Sequence, residues 1–178
     1  MPDLWREVFL SYQRDPRLLR EWAEEVAGDL DGALRRASSL VEAEERPDSM
    51  TLGFGPQVLV ALASISEGGL RVITSPEVYE GTVPPTETSH RLLKLMEREG
   101  LVAAEVATMV PGPDLPPADV VLELEEVMSR IGARVLDVSG GTQLVPIAAV
   151  RAGIETLTYT YPHGDLVRVH TLRMGVRR

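Results

Sequence analysis

The turn at 137–143, which reads DVSGGTQ, holds the residues whose types and spacing are best suited to binding chemistry. Two adjacent glycines, Gly140 and Gly141, let backbone amides approach a ligand closely, and Ser139 and Thr142 bring hydroxyl groups. A helix predicted to begin directly after the turn adds unpaired N–H groups that favour phosphate. The spacing therefore predicts a phosphate site. The alternative is a tight turn whose hydroxyls only cap the helix.

A second glycine turn, 53–57 with the sequence GFGPQ, follows the first strand predicted for the core. It matches the phosphate-binding pattern G-x-G-x-x-G only in part, because Val58 occupies the third glycine position. Most such turns simply need a backbone conformation that glycine adopts readily. This turn is therefore the weaker of the two candidate sites.

Charge is unevenly distributed along the chain, which bears on where an anion could bind. The net charge is −9, yet residues 127–178 carry seven arginines against three acidic residues, a balance of +4. We therefore expect an anion to be received near the C-terminal third. A helix terminus favours a nearby negative charge by roughly 0.3–1 kcal/mol, and distant carboxylates are screened beyond about 8 Å at physiological salt. Local donors at 137–143 thus outweigh the overall negative charge if Asp137 points away from the ligand or is paired.

Short apolar strands alternate with helical segments from residue 50 onward, and this alternation must position both turns. The predicted strands are 50–54, 70–74, 101–110, 133–138, 154–161 and 166–172, and the predicted helices are 56–65, 89–99, 117–131 and 144–152. A surface loop is expected at 75–87 and a hairpin turn at 162–165. Because parallel neighbours need crossover connections, the pattern predicts an α/β fold with a Rossmann-like, mostly parallel sheet flanked by helices and a C-terminal β-hairpin.

Residues 1–48 differ in pattern and predict an α-helical N-terminal extension to a Rossmann-like domain at 49–178. Apolar residues recur at steps of three or four from Leu19 to Val41, which is the period of a helix. Asp15 before Pro16 predicts a helix start, and Gly28 predicts a kink or break. The apolar stripe is typical of a packing surface, either on the body of the protein or between subunits.

Composition excludes several classes of site. The chain has no cysteine, which rules out thiolate zinc sites and cysteine nucleophiles. Its three histidines are isolated: His163 fits a turn, His90 a solvated helix start, and His170 a strand, where a general base is one reading. We therefore expect no metal and no cofactor.

Composition also bears on partners and location. No stretch approaches the roughly 18 consecutive apolar residues that a membrane-spanning helix needs, and the first residues lack the pattern of a signal peptide. We expect a soluble, cytoplasmic protein without a membrane partner. The negative net charge argues against binding to duplex nucleic acid, because that binding depends on many basic residues.

The order of elements and the late turn resemble the CARF family, the CRISPR-associated Rossmann fold, whose members sense cyclic oligoadenylate in type III CRISPR defence. The resemblance covers about residues 50–172. The family's motif is a strand followed by Asp, a variable residue, Ser or Thr, and Gly-Gly-Thr-Lys, and residues 135–142 match it up to Thr142. A glycine-ending first strand, an alanine-rich helix after the turn, and Tyr159 and Tyr161 in a late strand agree with it. One departure is Gln143, which stands where many members have lysine.

The resemblance implies a homodimer in which two copies of the late turn grip cyclic tetra-adenylate or hexa-adenylate. By the family's pattern, the late turn lines the phosphates and the early turn forms the opposite wall. The ligand-binding candidates are Gly53, Phe54, Gly55, Gln57, Ser139, Gly140, Gly141, Thr142 and Gln143. Some members are also ring nucleases, which cleave the ring without metal by attack of a ribose 2′-hydroxyl on the adjacent phosphate.

Cleavage of that kind needs in-line positioning and stabilisation of charge on the phosphoryl oxygens. The catalytic candidates are Ser139, Thr142 and Gln143. Because Gln143 is uncharged, the residues favour binding over cleavage. Two other functions fit the same sequence. One is a non-enzymatic, nucleotide-responsive regulator or scaffold whose helical extension binds a partner protein. The other is a Rossmann-like enzyme acting on a mononucleotide or sugar phosphate.

Overall fold

A seven-stranded sheet organises the chain, and the computed structural model describes residues 3–175. The strands are β1 (Val41–Ala43), β2 (Ser49–Leu52), β3 (Leu70–Thr74), β4 (Val102–Val106), β5 (Val135–Asp137), β6 (Thr156–His163) and β7 (Leu166–Arg173). Their order across the sheet is β1-β7-β6-β5-β2-β3-β4. Strands β2 to β6 are parallel, while β7 runs antiparallel to β6 and parallel to β1. The predicted α/β fold with a C-terminal hairpin is confirmed.

Helices flank this sheet. They are α1 (Pro16–Gly28), α2 (Leu30–Leu40), α3 (Pro56–Ile65), α4 (Pro76–Glu80), α5 (Glu87–Arg98), α6 (Pro117–Ile131) and α7 (Leu144–Arg151). Proline begins α1, α3, α4 and α6, where its missing N–H costs no helical hydrogen bond. Within the described range 3–175, no helix combines the length and the apolar character needed to cross a membrane.

Two apolar cores lie on opposite faces of the sheet. One packs α1, α2, α3 and α5 against the strands, and the other packs α6 and α7. Along β3, Val72 belongs to the first core and its neighbour Ile73 to the second, because successive side chains of a strand point to opposite faces. The result is a three-layer arrangement with the sheet in the middle.

The N-terminal extension packs on the body of the protein through aromatic side chains. Trp5, Phe9 and Trp22 are buried, and their ring centroids lie 5.3–6.1 Å apart. They join the same core as α3 and α5. The apolar stripe predicted for this region therefore packs on the body of the same chain.

The strands predicted at 101–110 and 133–138 are shorter, Val102–Val106 and Val135–Asp137, and two segments differ in kind from the sequence prediction. The helical extension contains an added strand, because the chain leaves α2 at Leu40 and pairs with the sheet edge from Val41↔Val167 to Ala43↔Val169. The segment 75–87, predicted to be a loop, contains α4 and a short 3₁₀ turn at Pro84–Thr86. The predicted break at Gly28 is present, where α1 ends and Asp29 caps α2.

The strand order reverses between β2 and β5, and this reversal positions the site. After β2 the chain builds β3 and β4 on one side, and it then returns to place β5 and β6 on the other. Connections that leave the carboxyl ends of β2 and β5 therefore diverge and leave a crevice between them. Met50 pairs with Asp137, so the turns that follow the two strands start side by side.

Candidate functional site

A cleft of about 720 Å³ opens at the carboxyl ends of β2, β5 and β6. The turn after β2 contributes Phe54 and Gly55, and the turn after β5 contributes Ser139, Gly140 and Gly141. Both glycine turns singled out in the sequence therefore line one site. Its volume lies within the range of about 300–1,000 Å³ that is usual for sites binding small molecules and cofactors.

The glycines of these turns allow backbone to pack directly on backbone. A Cβ atom on Gly53 would lie 2.5 Å from the carbonyl oxygen of Gly140, and one on Gly140 would overlap the carbonyl oxygen of Thr51. At Gly141 a Cβ would lie 2.5 Å from Cγ2 of Val145. Glycine is thus required here for the two turns to meet, and Gly53 serves this contact without lining the cleft itself.

Asp137 points away from the cleft into a buried polar network. Its Oδ1 accepts a hydrogen bond from the Ser139 amide at 3.0 Å, and its Oδ2 accepts from the hydroxyls of Thr158 and Thr160 at 2.9 and 2.6 Å. Burial raises the pKa of this carboxyl, and the hydrogen bonds from Ser139, Thr160 and Thr158 act in the opposite direction. Asp137 therefore does not place its charge in the cleft, as anion binding at this turn requires.

The three catalytic candidates lie in different surroundings. Ser139 lines the cleft, and its Oγ accepts a hydrogen bond from the Thr160 amide at 2.6 Å. Thr142 turns elsewhere and donates to the carbonyl of Met109 at 2.9 Å. Gln143 is exposed directly before α7 and does not line the cleft. Of the three, only Ser139 is placed to touch a ligand in the cleft.

The early turn offers an exposed ring and a buried amide. Phe54 lines the cleft with 61% of its surface exposed. Gln57 also reaches the cleft wall, yet it is only 2% exposed. Its Nε2 donates to the carbonyl oxygens of Gln13 and Val8, at 2.8 and 3.5 Å. Gln57 therefore fixes the N-terminal segment to the core.

Residues 12–20, which we call the N-terminal wall, close the other side of the cleft, and the sequence analysis did not predict them as site residues. The wall contributes Tyr12, Arg14 and Arg20 to the lining, together with Pro16 and Leu19. Nothing in the local pattern announces this role, because it depends on the contact between Gln13 and Gln57, 44 residues apart.

Tyr12 begins this wall in an unusual conformation. It is the one non-glycine residue with a positive φ, +48°, among the described residues. Its hydroxyl is buried, and no hydrogen-bond partner lies within reach in the described part of the chain. Burial, followed by the charge of Asp137, raises the pKa of this phenol. Tyr12 is thus a neutral side chain at the base of the wall.

Strand β6 adds aromatic surface next to the cleft. Tyr159, 48% exposed, and Tyr161 both line it. The ring of Tyr161 stacks on that of His170, with centroids 5.0 Å apart and planes at 1°. The other two histidines lie elsewhere: His163 is at the exposed end of β6, and Nδ1 of His90 lies 2.8 Å from the carbonyl oxygen of Tyr79.

The five arginines of the C-terminal third that the structure describes do not line the cleft. All five are paired with carboxylates: Arg130 with Glu105, Arg134 with Asp48, Arg151 with Glu125, Arg168 with Glu42 and Arg173 with Glu45. Arg177 and Arg178 lie outside the described residues. Among the described residues, the positive charge that lines the cleft comes from Arg14 and Arg20 of the N-terminal wall.

No group of three or more histidine, aspartate or glutamate side chains with metal-binding geometry occurs in the range 3–175. In comparisons with known proteins, no family model matches the chain and no curated protein matches it in sequence. Function is therefore inferred from the geometry and chemistry of the cleft.

Proposed function

We propose that the chain binds cyclic oligoadenylate in this cleft, as part of type III CRISPR signalling, with a second copy completing the site. The observation that carries the proposal is the meeting of the two glycine turns at the reversal in strand order, where they line a cleft with Phe54 and Ser139. Ligands of open parallel sheets bind in this crevice.

Phosphate binding is supported by the glycine turn after β5. Ser139, Gly140 and Gly141 are partly exposed on the cleft, so backbone and one hydroxyl can approach phosphate oxygens. The buried carboxylate of Asp137 holds the turn from behind through the Ser139 amide. Donors already fixed in place bind an anion without the cost of ordering them first.

Base binding is supported by the aromatic side chains around the same cleft. Phe54 and Tyr159 present exposed ring surface from two different elements. Stacking of a base on an aromatic ring contributes about 1–3 kcal/mol per base. An adenine-rich ligand uses such surfaces well, because every base can stack without a matching pattern of hydrogen bonds.

A second copy fits the symmetry of the proposed ligand. A homodimer with a twofold axis presents the same turn twice, and a cyclic tetra-adenylate or hexa-adenylate can share that axis. Cleavage is the finer form of the proposal: a ribose 2′-hydroxyl attacks the adjacent phosphorus, the 5′-oxygen leaves with a proton, and a 2′,3′-cyclic phosphate remains. Among the described residues that line the cleft the one carboxylate is Glu87, and it lies 3.7 Å from Arg20. A general base for the 2′-hydroxyl is therefore less well supported than ligand binding.

A second candidate is favoured by the cleft's size. A volume of about 720 Å³ within one subunit suits a single mononucleotide or sugar phosphate. The regulator that binds a partner protein through its helical extension is less well supported, because the apolar stripe of α1 is buried on the core.

The deciding experiment mixes the purified protein with cyclic tetra-adenylate and hexa-adenylate in EDTA, and measures both binding and products. Tight binding of a ring by a dimer supports the proposal, and cleavage without metal assigns the ring nuclease as well. Binding of AMP or a sugar phosphate by the monomer, with neither ring bound, would replace it with the second candidate.

A matched pair of variants tests the site. Phe54→Ala should weaken ring binding about tenfold or more, because it removes one stacking surface. Val110→Ala is the control: Val110 is equally exposed, at 63%, and does not line the cleft. Equal affinities of the two variants would rule out this cleft as the binding site.

A further inference from the structure

The cleft's walls differ in charge, and this difference identifies a residue that the glycine turns alone do not supply. The turn after β5 presents Ser139, Gly140 and Gly141, none of which is charged. The two lining arginines, Arg14 and Arg20, both belong to the N-terminal wall. Within residues 3–175, a ligand with several phosphates therefore meets arginine side chains from one side of the cleft.

The two arginines are not equivalent. Arg20 lies 3.7 Å from the carboxylate of Glu87, which also lines the cleft, so this pair is close to neutral as a unit. Arg14 is exposed and forms no ion pair within the described range 3–175. Arg14 thus carries the uncompensated positive charge of the cleft.

The backbone at Arg14 is fixed, although its side chain is exposed. Oε1 of Gln13 accepts hydrogen bonds from the amides of Arg14 and Asp15, at 2.8 and 3.1 Å. The Gln13 carbonyl in turn accepts from the buried amide of Gln57, at 2.8 Å. These hydrogen bonds link the backbone of Arg14 to the core and thereby fix the point from which its side chain extends.

The start of α1 does not compete for the anion. The side chain of Asp15 already accepts hydrogen bonds from the amides of Arg17 and Leu18, at 2.8 and 3.3 Å. Its carboxylate occupies the helix terminus and opposes a second negative charge there. At this end of the N-terminal wall, the guanidinium of Arg14 is therefore the group that can receive a phosphate.

We propose that Arg14 binds a phosphate of the nucleotide in this cleft, which adds this one residue of the N-terminal wall to the binding site. This inference rests on the proposed function and adds the residue that supplies the charge. Guanidinium is suited to the role because its planar N–H groups can make two parallel hydrogen bonds to phosphate oxygens.

The test compares Arg14→Gln with Arg17→Gln. Both substitutions change the net charge by the same amount, and Arg17 lies on the same segment. Its side chain does not line the cleft and pairs with Glu21 at 3.0 Å. The affinity for cyclic tetra-adenylate and hexa-adenylate is measured at several salt concentrations. Arg14→Gln should weaken binding at least about tenfold, the loss of a charged hydrogen bond, while Arg17→Gln should leave it nearly unchanged.

The salt dependence gives a second readout that a merely structural role would not change. For single strands, each phosphate contact contributes about 0.7 to the slope of log affinity against log salt. Arg14→Gln should reduce the slope by that amount for each phosphate it neutralises, and Arg14→Lys should retain most of the slope. Thermal unfolding of all variants should coincide with that of the parent.

The failures of the two proposals are distinguishable. If the parent binds a ring and Arg14→Gln binds it with the same affinity and salt slope, the role of Arg14 is wrong and the proposed function stands. If the parent binds neither ring, the proposed function fails and the role of Arg14 fails with it.

Discussion

The two walls of the cleft are held by different forces and offer a ligand different chemistry. The glycine wall, residues 139–141, packs backbone on backbone against Thr51 and the early turn. The N-terminal wall, residues 12–20, is held by side chains: the aromatic rings beneath it and the amide of Gln57. The glycine wall presents amides and a hydroxyl without charge, while the N-terminal wall presents the arginines.

This contrast separates the shape of the site from its charge. Shape depends on two turns whose positions follow from the strand order, and it tolerates almost no added volume. The charge of the site depends on the N-terminal wall, whose backbone is held by the core while its arginine side chains are exposed. Substitutions at the two walls that do not share partners should therefore have nearly additive effects on stability.

The largest expected effect tests how firmly the N-terminal wall is anchored. Trp22 is fully buried, and its ring centroid lies 5.6 Å from that of Trp5. Trp22→Ala should lower the free energy of unfolding by about 3–5 kcal/mol, because it removes buried surface and leaves a cavity. Urea unfolding followed by circular dichroism measures this loss.

The control is Leu122→Ala on α6, where the side chain is 51% exposed and the change should stay within about 0.5 kcal/mol. Trp22→Ala should still unfold in one transition, since the wall and α3 share one core. A separate early transition for the N-terminal helices would show that the two walls belong to independently unfolding units, which contradicts the shared core.

Much of the fold could be predicted because its signals are local. Helices α3 and α6 have the predicted bounds, since proline marks each start and α6 ends before Gly132, whose φ is +67°. Strand β1 was missed because Val41 continues the helical spacing of α2 and its pairing with β7 is distant in sequence. Three residues at a sheet edge carry too little pattern to compete with a helical period.

The site divides in the same way. The glycine wall could be predicted, because it directly follows a strand, and ligands of open parallel sheets bind beyond the carboxyl ends of the strands. The N-terminal wall could not, because it needs a left-handed Tyr12 and a contact from Gln57 that no spacing reveals. Gln57, predicted as a ligand residue, lines the cleft, and its buried amide donates to the Gln13 carbonyl.

The next prediction sharpens the description of the glycine wall. Gly140→Ala would place a Cβ against the Thr51 carbonyl oxygen and 3.0 Å from the Gly53 amide nitrogen, and both atoms are backbone. The free energy of unfolding should fall by about 1–3 kcal/mol, the usual cost of overpacking. For a chain of this size each kcal/mol lowers the melting temperature by roughly 2–4 °C.

Gly68→Ala is the matched control, because a Cβ at Gly68 would meet no atom within 4 Å. Ring binding should weaken in Gly140→Ala beyond the loss of stability, since the turn must move away from the early turn. Full stability and full binding in Gly140→Ala would mean that the glycine wall can accommodate a Cβ. The two walls would then not differ in how tightly they are packed.

The smallest effect concerns the carboxyl behind the glycine wall. Burial raises the pKa of Asp137 in the folded protein above its unfolded value. Between the two pKa values the folded state holds more protons, so this group lowers the free energy of unfolding as the pH rises. Its stabilising contribution is complete below the unfolded pKa of about 3.9 and is lost as the pH rises through the folded pKa.

Asp137→Asn removes this titration and keeps an acceptor for the Ser139 amide, while its own amide can donate to the hydroxyls of Thr158 and Thr160. The difference in unfolding free energy, variant minus parent, should therefore increase from pH 4 upward, as measured by urea unfolding at a series of pH values. A difference that stays constant would mean that Asp137 has an ordinary pKa when folded. Burial of the Asp137 carboxylate behind the glycine wall would then cost no measurable free energy of unfolding.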